Sequence, residues 1–433
     1  MSPVAVGIIG FAVLLALIAL KVPIGISMMV VGSAGLWYLL SESAAIAKMA
    51  IVPFFVASRY DLSVLPAFLL MAHVIFVSGL SKDLYDLAAR WLGHLPGGLA
   101  AASVGACAVF AAVSASSTAT SATIGLVALP EMKRHKYDPA LAAGCVAAGG
   151  TMGSLIPPSG ILIIYGIVTE TSIGRLFAAG IVPGILEAVF YIITVFILCK
   201  RKPSLGPRGP SYSLKDKVVA FRSCGEIIGL IGLVLGGLFV GWFTPTEAGA
   251  VAAFGAILCS LIRRRLNWQG FKEALLGTMK TAGMIYLILI GAFIFQYFAA
   301  VTTIPFVIAD FIGGLAVPPL VVVVAIAIIY LFLGCFMDVL TMVLLTIPVF
   351  LPLVLSLGFD PIWFAIIVVR MTEIGAITPP VGINVYVISG LAPDTPMSTI
   401  FKGIVPFFVA DILLVILLLL VPSVVLFLPN LIY

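Results

Sequence analysis

Asp338 is the only charged side chain between Phe311 and Ser356. A carboxylate set in so long an apolar run is costly to bury, and such a residue points to function. Around it, Gly334 and Thr341 supply backbone freedom and a hydroxyl. Two other constellations are of related type. One is the hydroxyl-rich run Ser114-Ala115-Ser116-Ser117-Thr118-Ala119-Thr120. The other is a pair of interrupted segments, Gly149-Gly150-Thr151-Met152-Gly153-Ser154-Leu155-Ile156-Pro157-Pro158 and Thr372-Glu373-Ile374-Gly375-Ala376-Ile377-Thr378-Pro379-Pro380-Val381-Gly382. A Pro-Pro pair stops a helix and frees carbonyls, and nearby glycines let the chain turn and approach a ligand. Freed carbonyls and hydroxyls suit a hard cation, whereas half-helix N-termini suit a carboxylate. The first cation site would draw on Ser116, Ser117, Thr118, Gly150, Gly153 and Pro157. The second would draw on Gly334, Asp338, Thr341, Thr372, Gly375, Thr378 and Pro379. Ser114, Ser154, Ser159, Arg370 and Asn384 are the candidates on the substrate side.

Other residues carry less. Arg370 and Glu373 stand three apart on one helix, so they can pair as a structural ion pair; the alternative reading is that Arg370 helps set the field for an anionic substrate. Thr244-Pro245-Thr246-Glu247 has the form of a capping box with Pro at the first helical position. His73, His94 and His135 are isolated, and none of the six cysteines forms a C-x-x-C pair, so neither a disulfide frame nor a zinc site is expected. The chain has no G-x-S-x-G elbow and no G-x-x-x-x-G-K-[ST] loop. No catalytic residue and no organic cofactor is expected, and the competing classes, a membrane-embedded protease or an ATP-hydrolysing subunit, lose their chemistry.

The elements that must position these residues repeat. Shifted by 222, Pro23 meets Pro245, Pro130 meets Pro352, and Tyr137-Asp138-Pro139 meets Phe359-Asp360-Pro361. Gly153, Pro157, Pro158 and Gly160 meet Gly375, Pro379, Pro380 and Gly382. One residue later, Gly180-Ile181-Val182-Pro183 meets Gly403-Ile404-Val405-Pro406. One shift accounts for all of them, which is the mark of an internal repeat. The expected organisation is a first repeat over 1–200, a polar linker over 201–222 and a second repeat over 223–433. In the first, spans at about 4–20, 23–40 and 61–80 lead to a re-entrant hairpin at about 97–131, a broken helix at about 139–168 and a last span at about 177–199. In the second, spans near 226–242, 245–262 and 284–301 lead to a hairpin at about 317–356, a broken helix at about 361–390 and a last span near 404–428. Unwound backbone at membrane depth is tolerated where protein buries it. Inverted repeats with interrupted helices are the pattern of a secondary transporter, with sites at the breaks.

Composition agrees. Hydrophobic residues make up 62% of the 433 and charged residues 9%, against about 25% charged in a soluble domain. So few charges cannot cover a water-facing surface, and the lipid bilayer is the expected surroundings. The net charge of +5 is no nucleic-acid signature, because the basic residues sit in short loops. Val4–Leu20 lacks a basic region before it and is expected to be a retained span. Each half crosses five times once its hairpin is counted as returning, so the second copy must be inverted. With both termini outside, every Lys and Arg falls in cytoplasmic segments except Lys48, Arg59, Arg175 and the intramembrane Arg370. The positive-inside rule favours that orientation.

The chain resembles the large membrane subunit (DctM-type) of the tripartite ATP-independent periplasmic, or TRAP, transporters. The matching segments are Phe243-Thr244-Pro245-Thr246-Glu247-Ala248, the tip Ser114–Thr120, Leu155-Ile156-Pro157-Pro158-Ser159, Phe336-Met337-Asp338 and Ile377-Thr378-Pro379-Pro380-Val381-Gly382. The likeness spans essentially the whole chain. It implies an all-α polytopic protein of the bacterial inner membrane, working by an elevator motion of its hairpin-bearing part. It implies Na+ as the coupling ion, so the cation residues above become sodium candidates. It also implies a separate small four-helix membrane subunit, a periplasmic substrate-binding protein and a carboxylate substrate such as a C4-dicarboxylate or a sialic acid. The competing reading is a stand-alone sodium–dicarboxylate symporter of similar architecture, which would need no partner.

Overall fold

The computed structural model describes residues 1–304, 307 and 317–433. Among these residues there are nineteen α-helices and no strand. The chain begins with α1 (Pro3–Ala19), α2 (Ile24–Leu39), α3 (Glu42–Ser58), α4 (Val64–Val77) and α5 (Leu80–Leu92). A helical hairpin, α6 (Gly98–Ser114) and α7 (Ser117–Arg134), follows. Next come α8 (Pro139–Gly150), α9 (Gly160–Thr169) and the long α10 (Ile173–Arg201). The later part holds α11 (Leu214–Val240), α12 (Pro245–Ile262) and α13 (Trp268–Val301). Its hairpin is α14 (Pro319–Gly334) and α15 (Val339–Ser356), followed by α16 (Pro361–Ala376), α17 (Ile383–Leu391), α18 (Met397–Leu420) and α19 (Ser423–Ile432). Seven helices among the described residues are long and apolar enough to cross a membrane.

Local chemistry explains where the positioning helices start. Asp138 accepts from the N–H groups of Ala140 and Leu141 at 2.9 and 3.2 Å, with Pro139 opening α8. Asp360 does the same for Ile362 and Trp363 at 2.7 and 3.3 Å, with Pro361 opening α16. An acidic cap followed by Pro at the first position is a strong helix start. Thr244 and Glu247 form the expected capping box at the head of α12.

The elements differ from expectation at five places. The helix α13 begins at Trp268 rather than near 284, and the last expected span, near 404–428, is split into α18 and α19. The first helix after the linker starts at Leu214 rather than near 226, because Ser213 and Asp216 form a capping box inside the polar stretch. The helix α3 stands between the expected second and third spans. The helix α5 is amphipathic, with Leu80, Leu84 and Tyr85 buried; carrying Lys82, Asp83, Asp86 and Arg90, it is too polar to read as a span.

Polarity runs inside out. Phe54 and Trp242 are 76% and 69% exposed, while Arg370, Glu187 and Asp411 are fully buried. That suits a bilayer, where lipid accepts apolar side chains and charge must be paired within protein. The early and late parts interleave: α2 packs on α13 and α4 on α12, forming a scaffold. The hairpins and broken helices form a second group, in which α6 and α7 pack on α8, and α14 and α15 on α16.

Candidate functional site

The tip of the first hairpin is held by its own hydroxyls. Ala115 takes a left-handed φ of 52°, and Ser116 caps α7 by accepting from the Ala119 N–H at 3.4 Å. The Ser114 and Thr120 hydroxyls meet at 2.5 Å, and the Thr120 hydroxyl also donates to the Ser116 carbonyl at 2.8 Å. Opposite this tip the chain breaks. After α8, a tight turn over Thr151–Ser154 leads to the cis Pro157–Pro158 bond, and Ser159 caps α9 at the Leu162 N–H. The Ser159 hydroxyl also donates to the Ser154 carbonyl at 2.5 Å. Tip and break are in contact: a Cβ on Gly153 would lie 2.5 Å from the Ser116 carbonyl oxygen.

The second tip is built alike with different chemistry. Asp338 caps α15, accepting from the Thr341 N–H at 3.0 Å and from the Thr341 hydroxyl. Gly334 and Gly375 meet backbone to backbone, and a Cβ on Gly375 would fall 2.6 Å from Gly334. The Thr372 hydroxyl donates to the carbonyls of Val368 and Val369, and that of Thr378 donates to Ile374. The break holds the cis Pro379–Pro380 bond and ends at Gly382, φ +63°.

A cavity of about 520 Å³ lies between the two tips and the scaffold. Of the residues singled out in the sequence, Ser116, Ser117, Thr118, Ser154, Asp338 and Asn384 line it. Phe68 of α4 and Ile285 and Ile288 of α13 face them from the scaffold side. An apolar cleft with a few convergent polar groups is the usual form of a small-molecule site. Gly150, Gly153, Pro157, Gly334, Thr341, Thr372, Gly375, Thr378, Pro379, Ser114 and Ser159 belong to the tips and breaks but do not line the cavity.

Arg370 departs from expectation. It pairs with Glu187 of α10 at 2.7 Å and Asp411 of α18 at 2.5 Å, not with Glu373 one turn away, and it does not line the cavity. The Tyr191 hydroxyl donates to Asp411 at 2.7 Å and the Thr151 hydroxyl to Glu187 at 2.8 Å. Two carboxylates from neighbouring helices outcompete the i,i+3 neighbour because they come closest to the buried guanidinium, and a buried charge is held by its nearest opposite charges. Sequence reasoning missed Glu187 and Asp411. Each is a lone acid in an apolar span, the same signal that singled out Asp338.

Glu373 is fully buried with the Ser154 and Ser117 hydroxyls beside it, yet neither carboxylate oxygen has a hydrogen bond. Asn384 is equally buried, and both atoms of its amide are unpartnered. Orphaned buried oxygens beside a cavity fit a small cation, since each costs about 1–3 kcal/mol or more without a partner.

Residues 11–424 match the family described as the DctM component of tripartite ATP-independent periplasmic transporters. The chain is 36% identical to the C4-dicarboxylate TRAP transporter large permease protein DctM of Pseudomonas aeruginosa, over 92% of this chain and 93% of that protein. It is 32% identical to the sialic acid TRAP transporter large permease protein SiaM of Vibrio cholerae, over 96% and 97%. Among solved structures, the Alcanivorax borkumensis YdaH transporter superposes with a TM-score of 0.66 at 17% identity, over 89% of this chain and 90% of that one. Neisseria gonorrhoeae MtrF superposes with a TM-score of 0.64 at 14% identity, over 97% and 95%. These two share the fold. With a family match over nearly its whole length and relatives above 30% identity, the chain belongs to the DctM-component family of tripartite ATP-independent periplasmic transporters: it is a large permease subunit, not an enzyme.

Proposed function

We propose that this permease imports a small organic acid, of the C4-dicarboxylate or sialic-acid kind, driven by sodium and handed over by a periplasmic binding protein. The observation that carries this is the cavity between the hairpin tips and the scaffold, lined by Ser116, Ser117, Thr118, Ser154, Asp338 and Asn384. The first turns of α7 and α9 face it, and helix N-termini favour a carboxylate. The hydroxyls and the Asp338 carboxylate are hard oxygen donors that suit sodium. The cavity lies where one group of helices meets the other, so a sliding of the hairpin-bearing group against the scaffold would carry it across the membrane. This is an elevator motion within two inverted repeats, 1–200 and 223–433, joined by a cytoplasmic linker with both termini periplasmic. A small four-helix membrane subunit would brace the scaffold.

The test is uptake into proteoliposomes holding this chain, its small partner and receptor loaded with succinate or with a sialic acid. Uptake is expected with an inward sodium gradient and not with choline. Full-rate uptake without sodium would refute sodium coupling. Omission of the receptor or the small subunit should abolish uptake, and persistence would favour a stand-alone symporter. Cysteine labelling from outside should reach the termini and not residues 201–222.

A further inference from the structure

Among the described residues, Glu373 is the fully buried acid neither of whose carboxylate oxygens has a hydrogen bond. Arg370, the charged group nearest along its own helix, is already engaged by two carboxylates, Glu187 and Asp411. Those two also receive hydroxyl donors, from Thr151 and Tyr191 respectively. Three fully buried carboxylates thus share a single buried guanidinium. The oxygens of Glu373 are the ones left without a hydrogen bond on either side. Leaving a full negative charge so placed is far costlier than leaving a neutral polar group unpaired.

What lies beside that carboxylate is oxygen of the right kind. The hydroxyls of Ser154 and Ser117 adjoin it, and both serines line the cavity while Glu373 does not. A cation arriving through the cavity meets the serines first and the carboxylate behind them. The serines come from the first hairpin and first break, and Glu373 comes from α16 in the other half. Among the described residues no group of three His, Cys, Asp or Glu is placed to hold a metal. One free carboxylate with neutral hydroxyls suits a monovalent cation and not a divalent one, which would call for more charged ligands.

We propose that Glu373 is the charged ligand of a monovalent cation held between the two halves, with the Ser117 and Ser154 hydroxyls as neutral ligands. The proposal deepens the sodium reading and rests on it. The ion also gains a structural role, because it joins the first hairpin to the second broken helix. An occupied site would hold the two halves of the hairpin-bearing group together as one body. The pairing is asymmetric, because position 373 corresponds to Thr151 in the other half, and Thr151 is already bonded to Glu187.

The experiment uses the purified full chain in detergent, with thermal unfolding in sodium chloride against choline chloride at equal ionic strength, and equilibrium binding of radiolabelled sodium. Wild type is expected to gain melting temperature with sodium. Glu373→Gln is expected to melt at or above wild type in choline, since the buried charge is gone. It should also lose part of the sodium increment and about one bound ion per chain, as linkage requires when a ligand site is removed. Ser154→Ala should weaken sodium affinity without removing the site. A Glu373→Gln protein that melts lower in choline yet keeps the full sodium increment would overturn the proposal, because that is how a structural acid behaves. If Glu373→Gln does not fold, Ser154→Ala decides: an unchanged sodium affinity overturns the assignment. Absence of any sodium effect or binding in wild type would fell the sodium reading with it, whereas a normal wild-type response kept in both variants fells this assignment alone.

Discussion

The two hairpin tips are capped in the same way with different chemistry. Ser116 and Asp338 occupy corresponding positions, and each caps the second arm of its hairpin. Ser116 does so with a neutral hydroxyl, Asp338 with a carboxylate. The breaks differ in the same sense: Thr151 in the first corresponds to Glu373 in the second. The first half therefore offers hydroxyls and the second offers charge. Both tips reach one cavity, and Glu373 from the second half stands beside serines of the first. Under the shift of 222 the caps and Pro-Pro breaks coincide, while the side chains at the matched positions, Ser116 with Asp338 and Thr151 with Glu373, differ in charge. A cap position can hold its fold with either chemistry, which leaves the charge free to serve another purpose.

The sharpest way to break this comparison is through the ion cluster that ties α10, α16 and α18. Arg370→Met leaves Glu187 and Asp411 buried and unpaired, and is expected to cost about 3–5 kcal/mol of stability. It should be read as lost monodisperse protein and a large fall in melting temperature. Adding Glu187→Gln and Asp411→Asn to Arg370→Met should recover much of that loss. Failure to recover would mean that the guanidinium supports the fold other than through these carboxylates.

Next in size is the charge that distinguishes the tips. Asn caps a helix about as well as Asp, so Asp338→Asn should stay folded while losing the charge. Unit charges about 4 Å apart attract by about 4 kcal/mol at an effective dielectric near 20, and losing half of that would raise the sodium half-saturation of uptake more than tenfold. Ser116→Ala removes a cap without removing charge and should cost about 1 kcal/mol, read in melting temperature. An Asp338→Asn protein with unchanged sodium dependence would make the two tips equivalent.

Close approach is expected to matter in both copies. Gly153→Val and Gly375→Val each force a side chain against backbone across the tip–break contact, and overpacking of this kind costs about 1–3 kcal/mol. Both should lose uptake while still expressing. A tolerated substitution in one copy would show that its tip moves away from its break during transport.

The smallest effect concerns the exposed pair Lys133–Asp394 at 2.7 Å, which links the end of the first hairpin to the loop after the second broken helix. The Lys133 ammonium holds the Asp394 carboxyl below its ordinary range. A depressed acid contributes stability at neutral pH and loses it as pH falls through its folded value. Lys133→Gln should therefore leave melting almost unchanged in high salt, and the small difference seen in low salt should vanish on acidification. A large effect in high salt would mean that this link latches the two halves.

Much of the molecule was legible in the chain because it follows from local rules. Asp-Pro and Thr-Pro pairs start helices, Pro-Pro pairs stop them, and a shift of 222 brings these marks into register. The helices α6, α7, α8, α9 and α14 to α17 lie where that register puts them. Six of the chosen site residues line one cavity. The helix α5 and the early start of α11 were harder to read, since mixed charge hides an amphipathic helix and a linker can carry its own capping box.

By itself, then, the sequence determined an all-helical polytopic membrane chain with two tips and two breaks, because composition, periodicity and helix punctuation act over a few residues. Which acid meets which base was decided only by tertiary structure. Arg370 and Glu373 sit at a spacing that invites pairing, yet Arg370 bonds Glu187 and Asp411, distant in the chain, and Glu373 is left beside Ser117 and Ser154. Long-range electrostatics inside a low-dielectric core selects partners by direction and distance in space, and helix spacing carries no information about what the neighbouring helices bring.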